Sequence, residues 1–397
     1  MQNFNYYNPV KIYFGKGEEQ KVGELADEYS KNKKALVLYS GDYYTKLGIS
    51  DVIKEKFGEK GIEYVENGDI VPNPRIELID KLVGIVKDKK IDFILAVGGG
   101  SVIDTAKAVS VGALYDGDTT WDFFTGKATP KASLPVGVFS TAASSGSEMS
   151  NDSIVNNVDH KLTLENNIIL PKFAIMNPEY TLHFPLFQTG AGLSDMMTHM
   201  LERYFTTVKD VNLTDRMLEG AIQSLMVEAI KLRENPTDYQ TRAEIMWTSI
   251  AAHNSFLECG REPDWGSHRV ENELTAKFGI THGEGMSIVF PAWMKYTSQF
   301  LPDKFIQLGL RLFGFDRFEY TDQQIIDMTI KRFKEYFMGV GMHENLAALG
   351  IKEDKKLFKE MGLKATNNDK DTVGHYKPLN SDDVANIIEI AVNQTLN

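Results

Sequence analysis

An apolar run leads straight into three glycines, and this junction constrains the fold of the chain more than any other segment. Ile91 to Val97 has the sequence IDFILAV, which is typical of a buried strand. Gly98-Gly99-Gly100-Ser101 follows, and Val102 to Leu114 has the pattern of a helix. Glycines at such a junction let the backbone approach a phosphate at the helix N-terminus, where the helix dipole favours negative charge. The junction therefore predicts a strand-turn-helix unit able to hold a phosphorylated ligand.

Short apolar runs alternate with amphipathic segments through the first half of the chain. Lys34 to Tyr39 is predicted to be a strand, with a helix around Ile49 to Gly58 after it. Leu134 to Phe139 and Phe173 to Asn177 are predicted to be further strands. This alternation predicts an α/β domain of Rossmann-like type, in which helices flank a mostly parallel sheet.

The second half of the chain has a different pattern. After Pro185, apolar residues recur at helical spacing, as in Met217 to Met226 and Ile325 to Phe337, and β-branched runs become scarce. A chain of 397 residues also exceeds what one hydrophobic core usually organises. We therefore predict an α/β domain at residues 1–185 and an all-α helical bundle at residues 186–397.

Charge and composition exclude several classes of partner. The net charge is -12 and no basic run is present, which argues against nucleic acid and against an anionic membrane. The single cysteine, Cys259, cannot form an internal disulfide. The first residues lack the pattern of a secretory signal, and no run approaches the roughly 20 apolar residues that cross a bilayer. We expect a cytoplasmic protein whose partners are small molecules.

The glycine turn alone leaves its role open. It does not match the G-x-G-x-x-G dinucleotide fingerprint, because Ile103 occupies the third glycine position. Ser101 and Asp104 have the spacing of a helix capping box, so the segment could simply be a tight turn. Phosphate binding and helix capping both remain open at this point.

A second polar turn, Ser140 to Glu148, follows another predicted strand. Its hydroxyls and backbone amides lie at the presumed sheet edge where open α/β sheets bind ligands. Ser145 and Glu148 again have capping-box spacing, so this turn also has a purely structural interpretation.

Four candidate metal ligands lie in the second half of the chain. Asp195 and His199 are four residues apart in a predicted helix, which brings both side chains to one face. His268 and His282 lie in segments rich in turn and capping residues. Each residue taken singly is more often structural, but three imidazoles and one carboxylate form a suitable set for a first-row divalent ion rather than for calcium.

These ordered motifs together resemble the iron-containing, or group III, alcohol dehydrogenase family over nearly the full length of the chain. The segments Arg242 to Trp247 and Asp264 to His282 most resemble its butanol dehydrogenase and broad-range aldehyde reductase branch. The matching motifs are Phe14-Gly15-Lys16-Gly17, Gly98 to Lys107, Ser145 to Glu148, Asp195-x-x-x-His199, His268 and His282.

The resemblance implies a dehydroquinate synthase-like architecture with a metal in the cleft between a dinucleotide-binding domain and a helical domain. It also implies a dimer. By position, the metal ligands would be Asp195, His199, His268 and His282. The implied cofactor contacts are Asn73, Gly98, Gly99, Gly100, Ser101, Asp104, Thr141, Ala142, Ser145 and Lys161.

The choice of dinucleotide depends on the residue that follows the early strand. Relatives that prefer NAD resemble one another in having an aspartate there, which binds the adenosine ribose and repels a 2′-phosphate. In this chain the matching position is Gly41, beside Ser40. Because that carboxylate is missing and Ser40 and Lys161 could bind a phosphate, NADP(H) is favoured over NAD(H), although Asp42 is one residue away.

The family also implies the metal and the reaction. Fe²⁺ is favoured, with Zn²⁺ as the alternative, and a small primary alcohol or aldehyde such as butanol or butanal is the expected substrate. The metal would act as a Lewis acid on the substrate oxygen while the nicotinamide exchanges hydride. Many relatives have a second histidine four residues after the third ligand, whereas this chain has Asn272, which is not a general acid or base at neutral pH.

Three other functions remain open from the sequence. The chain could be an NAD-preferring dehydrogenase of another small alcohol or polyol. A dehydroquinate synthase-type lyase shares the architecture, but it needs several basic residues around a phosphorylated substrate, and the ligand segments offer few beyond Arg269. A catalytically silent protein that binds cofactor or metal is the third alternative, and Asn272 is the residue that supports it.

Overall fold

The computed structural model describes residues 1–158 and 160–396. Six parallel strands form one sheet in the order β1-β8-β5-β4-β2-β3, and two antiparallel strands form a separate hairpin, β6-β7. The strands are β1 Lys11–Phe14, β2 Lys34–Tyr39, β3 Glu63–Asn67, β4 Phe93–Gly98, β5 Val136–Ser140, β6 Asp152–Asn157, β7 His160–Glu165 and β8 Phe173–Met176.

Fifteen α-helices lie in the described part of the chain. In the first half they are α1 Val22–Tyr29, α2 Tyr43–Lys46, α3 Ile49–Lys60, α4 Ile76–Lys89, α5 Gly100–Gly112 and α6 Trp121–Phe124. The others are α7 Leu186–Tyr204, α8 Asn212–Glu234, α9 Tyr239–His253, α10 Gly266–Phe278, α11 His282–Thr297, α12 Asp303–Leu312, α13 Asp322–Gly339, α14 Lys355–Ala365 and α15 Ser381–Asn393.

The sheet is covered by helices on both faces because the side chains of its strands alternate between the two. Leu36 and Leu38 of β2 pack in a core with residues of α4 and α5. Ala35 and Val37 of the same strand pack in a second core with residues of α1 and α3. The chain thus leaves β2 for one face and the neighbouring β4 for the other, which opens a crevice at the carboxyl ends of these two strands.

The predicted α/β fold with a mostly parallel sheet is confirmed, as are the helices of the second half. The strand predicted at Lys34–Tyr39 has the predicted bounds, and the others differ by one or two residues at an end. The helix after the glycine turn begins at Gly100, two residues earlier than predicted. The preceding Gly99 has the extended backbone of an N-cap residue, so the helix already includes Gly100 and Ser101.

The described chain forms two compact units. An α/β unit comprises Tyr7–Phe184 and Thr237–Asn254, and a helical unit comprises Met1–Tyr6, Pro185–Pro236 and Ser255–Asn397. The helix α9 belongs to the α/β unit although it lies in the second half of the sequence. Its residues Met246 and Ile250 are buried in the same core as residues of β2. A single domain boundary near Pro185 therefore does not account for this helix.

The helical unit is built around α7 and α11, whose residues are nearly all buried. An aromatic cluster fills the space beside them: Phe205 contacts Trp293 at 5.1 Å and Phe305 at 4.5 Å between ring centroids. Such clusters bury large apolar areas and fix the helices against one another. Among the described residues, no helix combines the length and the apolar character needed to cross a lipid bilayer.

Candidate active site

The glycine turn and the second polar turn meet at the carboxyl end of the sheet. Gly98 is in register with Ser140, and the amide of Thr141 donates to the carbonyl of Gly98 at 3.2 Å. A Cβ atom added to Gly100 would lie 2.7 Å from Oγ of Ser145, so the two turns approach closely here and a larger residue would force this hydroxyl to move. The two predicted turns therefore form one surface, and residues 99–101 and 141–145 on it are partly exposed.

Neither turn forms the capping box that its spacing allows. The N-cap of α5 is Gly99, and no side chain caps this helix. The short 3₁₀ helix at Ser147–Met149 has Gly146 at its N-cap and also lacks a side-chain cap. The amides at the start of α5 therefore do not donate to a capping side chain, which is the arrangement that suits an anionic ligand.

Asp104, a predicted cofactor contact, forms hydrogen bonds within the protein. Its two carboxylate oxygens accept hydrogen bonds from Oγ of Ser147 at 2.6 Å and from the amide of Ile154 at 3.1 Å. Lys107, one turn later, is fully buried and donates to the carbonyls of Ser147, Ser150 and Asp152. The prediction missed Lys107, although a lysine inside an otherwise apolar helix was the available signal. Both side chains fasten the second turn to α5.

The residues after β2 leave an open position. Ser40 pairs through its backbone with Asp69, and Gly41 has a φ of 63°, the left-handed region that favours glycine. A Cβ atom at Gly41 would meet nothing within 4 Å. The carboxylate of Asp42 forms an ion pair with Lys46 one turn along α2, and this side-chain hydrogen bond lowers the pKa of Asp42.

Asn73 and Lys161 are brought to neighbouring segments of the α/β unit. The amide of Asn156 donates to the carbonyl of Pro74 at 2.7 Å, and Asn156 lies opposite Lys161 in the β6-β7 hairpin. Asn73 has a φ of 59°, a left-handed backbone that asparagine tolerates better than most residues. The loop that carries Asn73 therefore lies beside the hairpin that carries Lys161.

In the helical unit, three of the four predicted metal ligands converge. The potential ligand atoms of Asp195, His268 and His282 all lie within 4.8 Å of one another. Nε2 of His282 lies 3.6 Å from Oδ1 of Asp195. The fourth candidate, His199, lies with its Nε2 3.5 Å from the same Oδ1, and its ring stacks on His268 at 5.0 Å between centroids. Residues from α7, α10 and α11 thus form one cluster.

The donor set fits a divalent cation. Oδ1 of Asp195 and Nε2 of His268 are buried, and neither has a hydrogen-bond partner among residues 1–158 and 160–396. Buried polar atoms without a partner are costly, so a ligand is their expected use. Burial lowers the pKa of His268, which keeps its ring neutral and its nitrogen lone pair available to a metal.

The sequence prediction missed two glutamates that contact His268 and His282 through Nδ1 of each ring. Oε1 of Glu202 lies 3.0 Å from Nδ1 of His268, and Oε2 of Glu271 lies 2.5 Å from Nδ1 of His282. The signal was a repeated H-x-x-E pattern, at His199 to Glu202 and again at His268 to Glu271.

The start of α10 combines a buried acid with a strained backbone. Asp264 is fully buried and accepts hydrogen bonds from the amides of Gly266, His375 and Tyr376. Burial, together with the nearby charge of Glu202, raises the pKa of Asp264 to about 8. Trp265 follows with a φ of 59°, which is uncommon for a bulky residue and is usually found at functional sites.

The chain is similar to known proteins over nearly its full length. The family description "Iron-containing alcohol dehydrogenase" matches residues 9–178, and "Fe-containing alcohol dehydrogenase family, C-terminal" matches residues 189–392. The chain is 36% identical to a probable NADH-dependent butanol dehydrogenase of Bacillus subtilis, covering 99% of this chain and 100% of that protein. It is 30% identical to the NADPH-dependent aldehyde reductase YqhD of Escherichia coli, covering 88% and 90% of the two chains.

Solved structures show the same likeness. The crystal structure of NADH-dependent butanol dehydrogenase A from Thermotoga maritima superimposes with a TM-score of 0.92 at 33% identity and covers 99% of both chains. This confirms the predicted family and the predicted branch. The chain belongs to the iron-containing alcohol dehydrogenase family and is thus a metal-containing, NAD(P)-dependent alcohol dehydrogenase.

Proposed function

We propose that the protein interconverts a small primary alcohol and its aldehyde, such as butanol and butanal, with NADP(H) preferred over NAD(H) and Fe²⁺ as the metal. The observation that carries this proposal is the cluster of Asp195, His268 and His282, whose ligand atoms lie within 4.8 Å of one another. In the reductive direction the aldehyde gains a hydride from NADPH and a proton from solvent, which yields the alcohol and NADP⁺.

The two units supply the two groups that this reaction needs. We propose that residues 1–185 bind the dinucleotide, with its phosphates against the partly exposed glycine turn and the partly exposed residues Thr141 to Ser145. Residues 186–397 would hold the metal through Asp195, His199, His268 and His282. A divalent cation bound there supplies Lewis-acid chemistry at the substrate oxygen, and the nicotinamide supplies the hydride.

The preference for NADP(H) is supported by the segment after β2. Gly41 presents no side chain to the ribose, and the nearby carboxylate of Asp42 is paired with Lys46. A 2′-phosphate at this position therefore meets less negative charge than an aspartate at residue 41 would provide. The names of the relatives include both NADH-dependent and NADPH-dependent enzymes, so the proposal depends on these residues.

The metal-binding side chains have a defined electrostatic task. Three neutral imidazoles and one carboxylate leave a divalent site with a formal charge near +1, which favours an oxygen that gains negative charge during the reaction. Asn272 cannot supply the proton, so we propose that the proton arrives through water or through a ribose hydroxyl of the cofactor. Iron is favoured by the family, and zinc is the alternative because its affinity for such ligands is intrinsically higher.

One experiment tests substrate, cofactor and metal together. Purified enzyme prepared without added metal is analysed for iron and zinc, and oxidation of NADPH and of NADH is then followed with C2 to C6 aldehydes. We expect iron, faster turnover with NADPH, and highest kcat/KM near C4. Equal or better kcat/KM with NADH would contradict the cofactor proposal, and tight NADPH binding without turnover of any aldehyde would contradict the reaction.

The metal ligands are tested separately with His268→Ala. The variant is expected to lose most of its metal and its turnover while it still binds the dinucleotide. A variant that keeps both metal and turnover at the level of the unmodified enzyme would remove the ligand assignment.

A further inference from the structure

His268 and His282 each contact a buried glutamate through Nδ1, the ring nitrogen on the side away from Asp195. The two glutamates make the same kinds of contact. Glu202 accepts hydrogen bonds from Oγ of Ser267 and pairs with Nδ1 of His268. Glu271 accepts from Oγ1 of Thr275 and pairs with Nδ1 of His282. A hydroxyl and an imidazole nitrogen thus share each carboxylate, which leaves Nε2 of each histidine on the side of Asp195.

Each glutamate contacts a histidine on the next helix of the site along the chain. Glu202 lies on α7, which carries Asp195 and His199, and it contacts the candidate ligand of α10. Glu271 lies on α10 itself and contacts the candidate ligand of α11. Of the three helices that carry candidate ligands, α7 and α10 therefore each also carry, one turn later, a carboxylate that contacts the candidate ligand of the next helix.

We propose that Glu202 and Glu271 are positioning residues of the metal site. Each accepts Nδ1–H of its histidine, fixes the ring so that Nε2 faces the cation, and makes that nitrogen a stronger donor. This inference rests on the proposed ligand roles of His268 and His282.

The burial of Glu202 favours a positioning role over a role in stabilising the fold. The side chain of Glu202 has no exposed surface, and within the described residues its only ion-pair partner is His268. Its Oε2 is buried and has no hydrogen-bond partner in the same part of the chain. A buried carboxylate that lacks a lysine or arginine partner is a poor source of stability, so its position against His268 is better explained by a task at the cation.

Further hydrogen bonds from residues 267 and 268 hold the carboxylate of Glu202 in place. The amide of His268 donates to Oε1 of Glu202 at 3.1 Å, in addition to the hydroxyl of Ser267. The carboxylate is therefore held by the backbone of the same turn whose imidazole it contacts.

The test uses the isosteric variants Glu202→Gln and Glu271→Gln in the full-length enzyme loaded with Zn²⁺. Release of zinc to a chromogenic chelator is followed at fixed pH, and the melting temperature of each zinc-free protein is recorded. We expect each variant to release zinc about 10 to 100 times faster than the unmodified enzyme. The zinc-free proteins should melt at similar temperatures, because the amide retains the shape and one acceptor of the carboxylate.

Glu284→Gln is the matched control. Glu284 forms the same kind of pair with Nδ1 of His343, also at 2.5 Å, and His343 is not a candidate ligand. The control should release zinc at the rate of the unmodified enzyme. Unchanged release from both test variants, or equal acceleration in the control, would overturn the inference.

The outcomes also separate this inference from the ligand assignment. If His268→Ala retains zinc, the ligand assignment fails and the inference fails with it. If His268→Ala loses zinc but both glutamine variants release it at the normal rate, only the positioning role fails. Should one glutamine variant not fold, the other carries the test, since the two glutamates serve different histidines.

Discussion

Oδ1 of Asp195 lies 3.6 Å from Nε2 of His282, although the first residue belongs to α7 and the second begins α11. The only carboxylate among the four proposed ligands therefore lies within reach of a cation shared with an imidazole from a distant part of the sequence. Its negative charge contributes to binding a divalent ion in a way that a neutral amide cannot match.

Asp195→Asn is accordingly expected to lose most of its metal and to reduce kcat/KM by about tenfold or more, roughly 1.4 kcal/mol of transition-state stabilisation. Metal content by elemental analysis and NADPH oxidation with butanal provide the two measurements. Asp210→Asn, an exposed acid in the same unit, is the control and should retain both. Full metal content in the Asp195 variant would show that this carboxylate is not a ligand.

Candidate ligands can be named from the sequence, but their arrangement cannot. Spacing placed Asp195 and His199 on one helical face, but the approach of His268 and His282 depends on how α10 and α11 pack against α7. That packing is set by long-range contacts which no local pattern encodes. Glu202 was missed because a glutamate in a helix is ordinarily solvated, and only its contact with Nδ1 of His268 distinguishes it.

In the α/β unit, local patterns predicted most of the fold. Apolar runs identified the central strands, since strands buried on both faces need continuous apolar sequence. β1 and β3 were not predicted, because half-exposed edge strands such as Glu63–Asn67 carry too few apolar residues. Asp104 is a predicted cofactor contact by resemblance alone, and no local pattern indicates that its carboxylate oxygens accept hydrogen bonds from Ser147 and Ile154.

Gly41→Asp should shift the cofactor preference toward NADH. A carboxylate at this position would lie in open space after β2, where it can bind a ribose hydroxyl and repel a 2′-phosphate. We expect the ratio of kcat/KM with NADPH to kcat/KM with NADH to fall by about tenfold or more. Steady-state kinetics with one aldehyde and both dinucleotides measure the ratio.

Gly41→Asn separates charge from backbone strain in this test. Any side chain at residue 41 meets the same left-handed backbone, with a φ of 63°, and asparagine has nearly the same volume as aspartate. The asparagine variant should keep most of the preference of the unmodified enzyme. An identical shift in both variants would mean that strain, rather than charge, changes cofactor choice.

Lys107→Met should loosen the second polar turn. The buried ammonium group donates to the carbonyls of Ser147, Ser150 and Asp152, and methionine leaves these acceptors without their partner. Because each buried acceptor that loses its bond costs about 1–3 kcal/mol, we expect the free energy of unfolding to fall by about 3 kcal/mol or more. Dinucleotide binding, followed by fluorescence, should weaken as well, while metal content stays unchanged.

Lys87→Met is the control for this substitution. Lys87 is exposed and donates to a single carbonyl, that of Tyr115 at 2.6 Å. Its replacement should change the free energy of unfolding by no more than about 0.5 kcal/mol. If Lys107→Met binds NADPH as tightly as the unmodified enzyme, the hydrogen bonds between Lys107 and the second polar turn have no role in cofactor binding.

Glu148→Gln should change how stability depends on pH. Burial raises the pKa of Glu148 from 4.5 to about 6 in the folded protein, so the folded state keeps its proton over a range in which the unfolded state has lost it. Stability from this group is therefore fully present below about pH 4.5 and is lost as the pH rises through about 6. Above that range the buried charge costs about 2 kcal/mol.

Glutamine at residue 148 does not titrate and can still accept the hydrogen bond from Ser140. Urea unfolding at a series of pH values should therefore show the variant gaining about 2 kcal/mol relative to the unmodified enzyme between pH 4.5 and pH 7. Parallel stability curves across that interval would show that Glu148 does not titrate there in the folded protein.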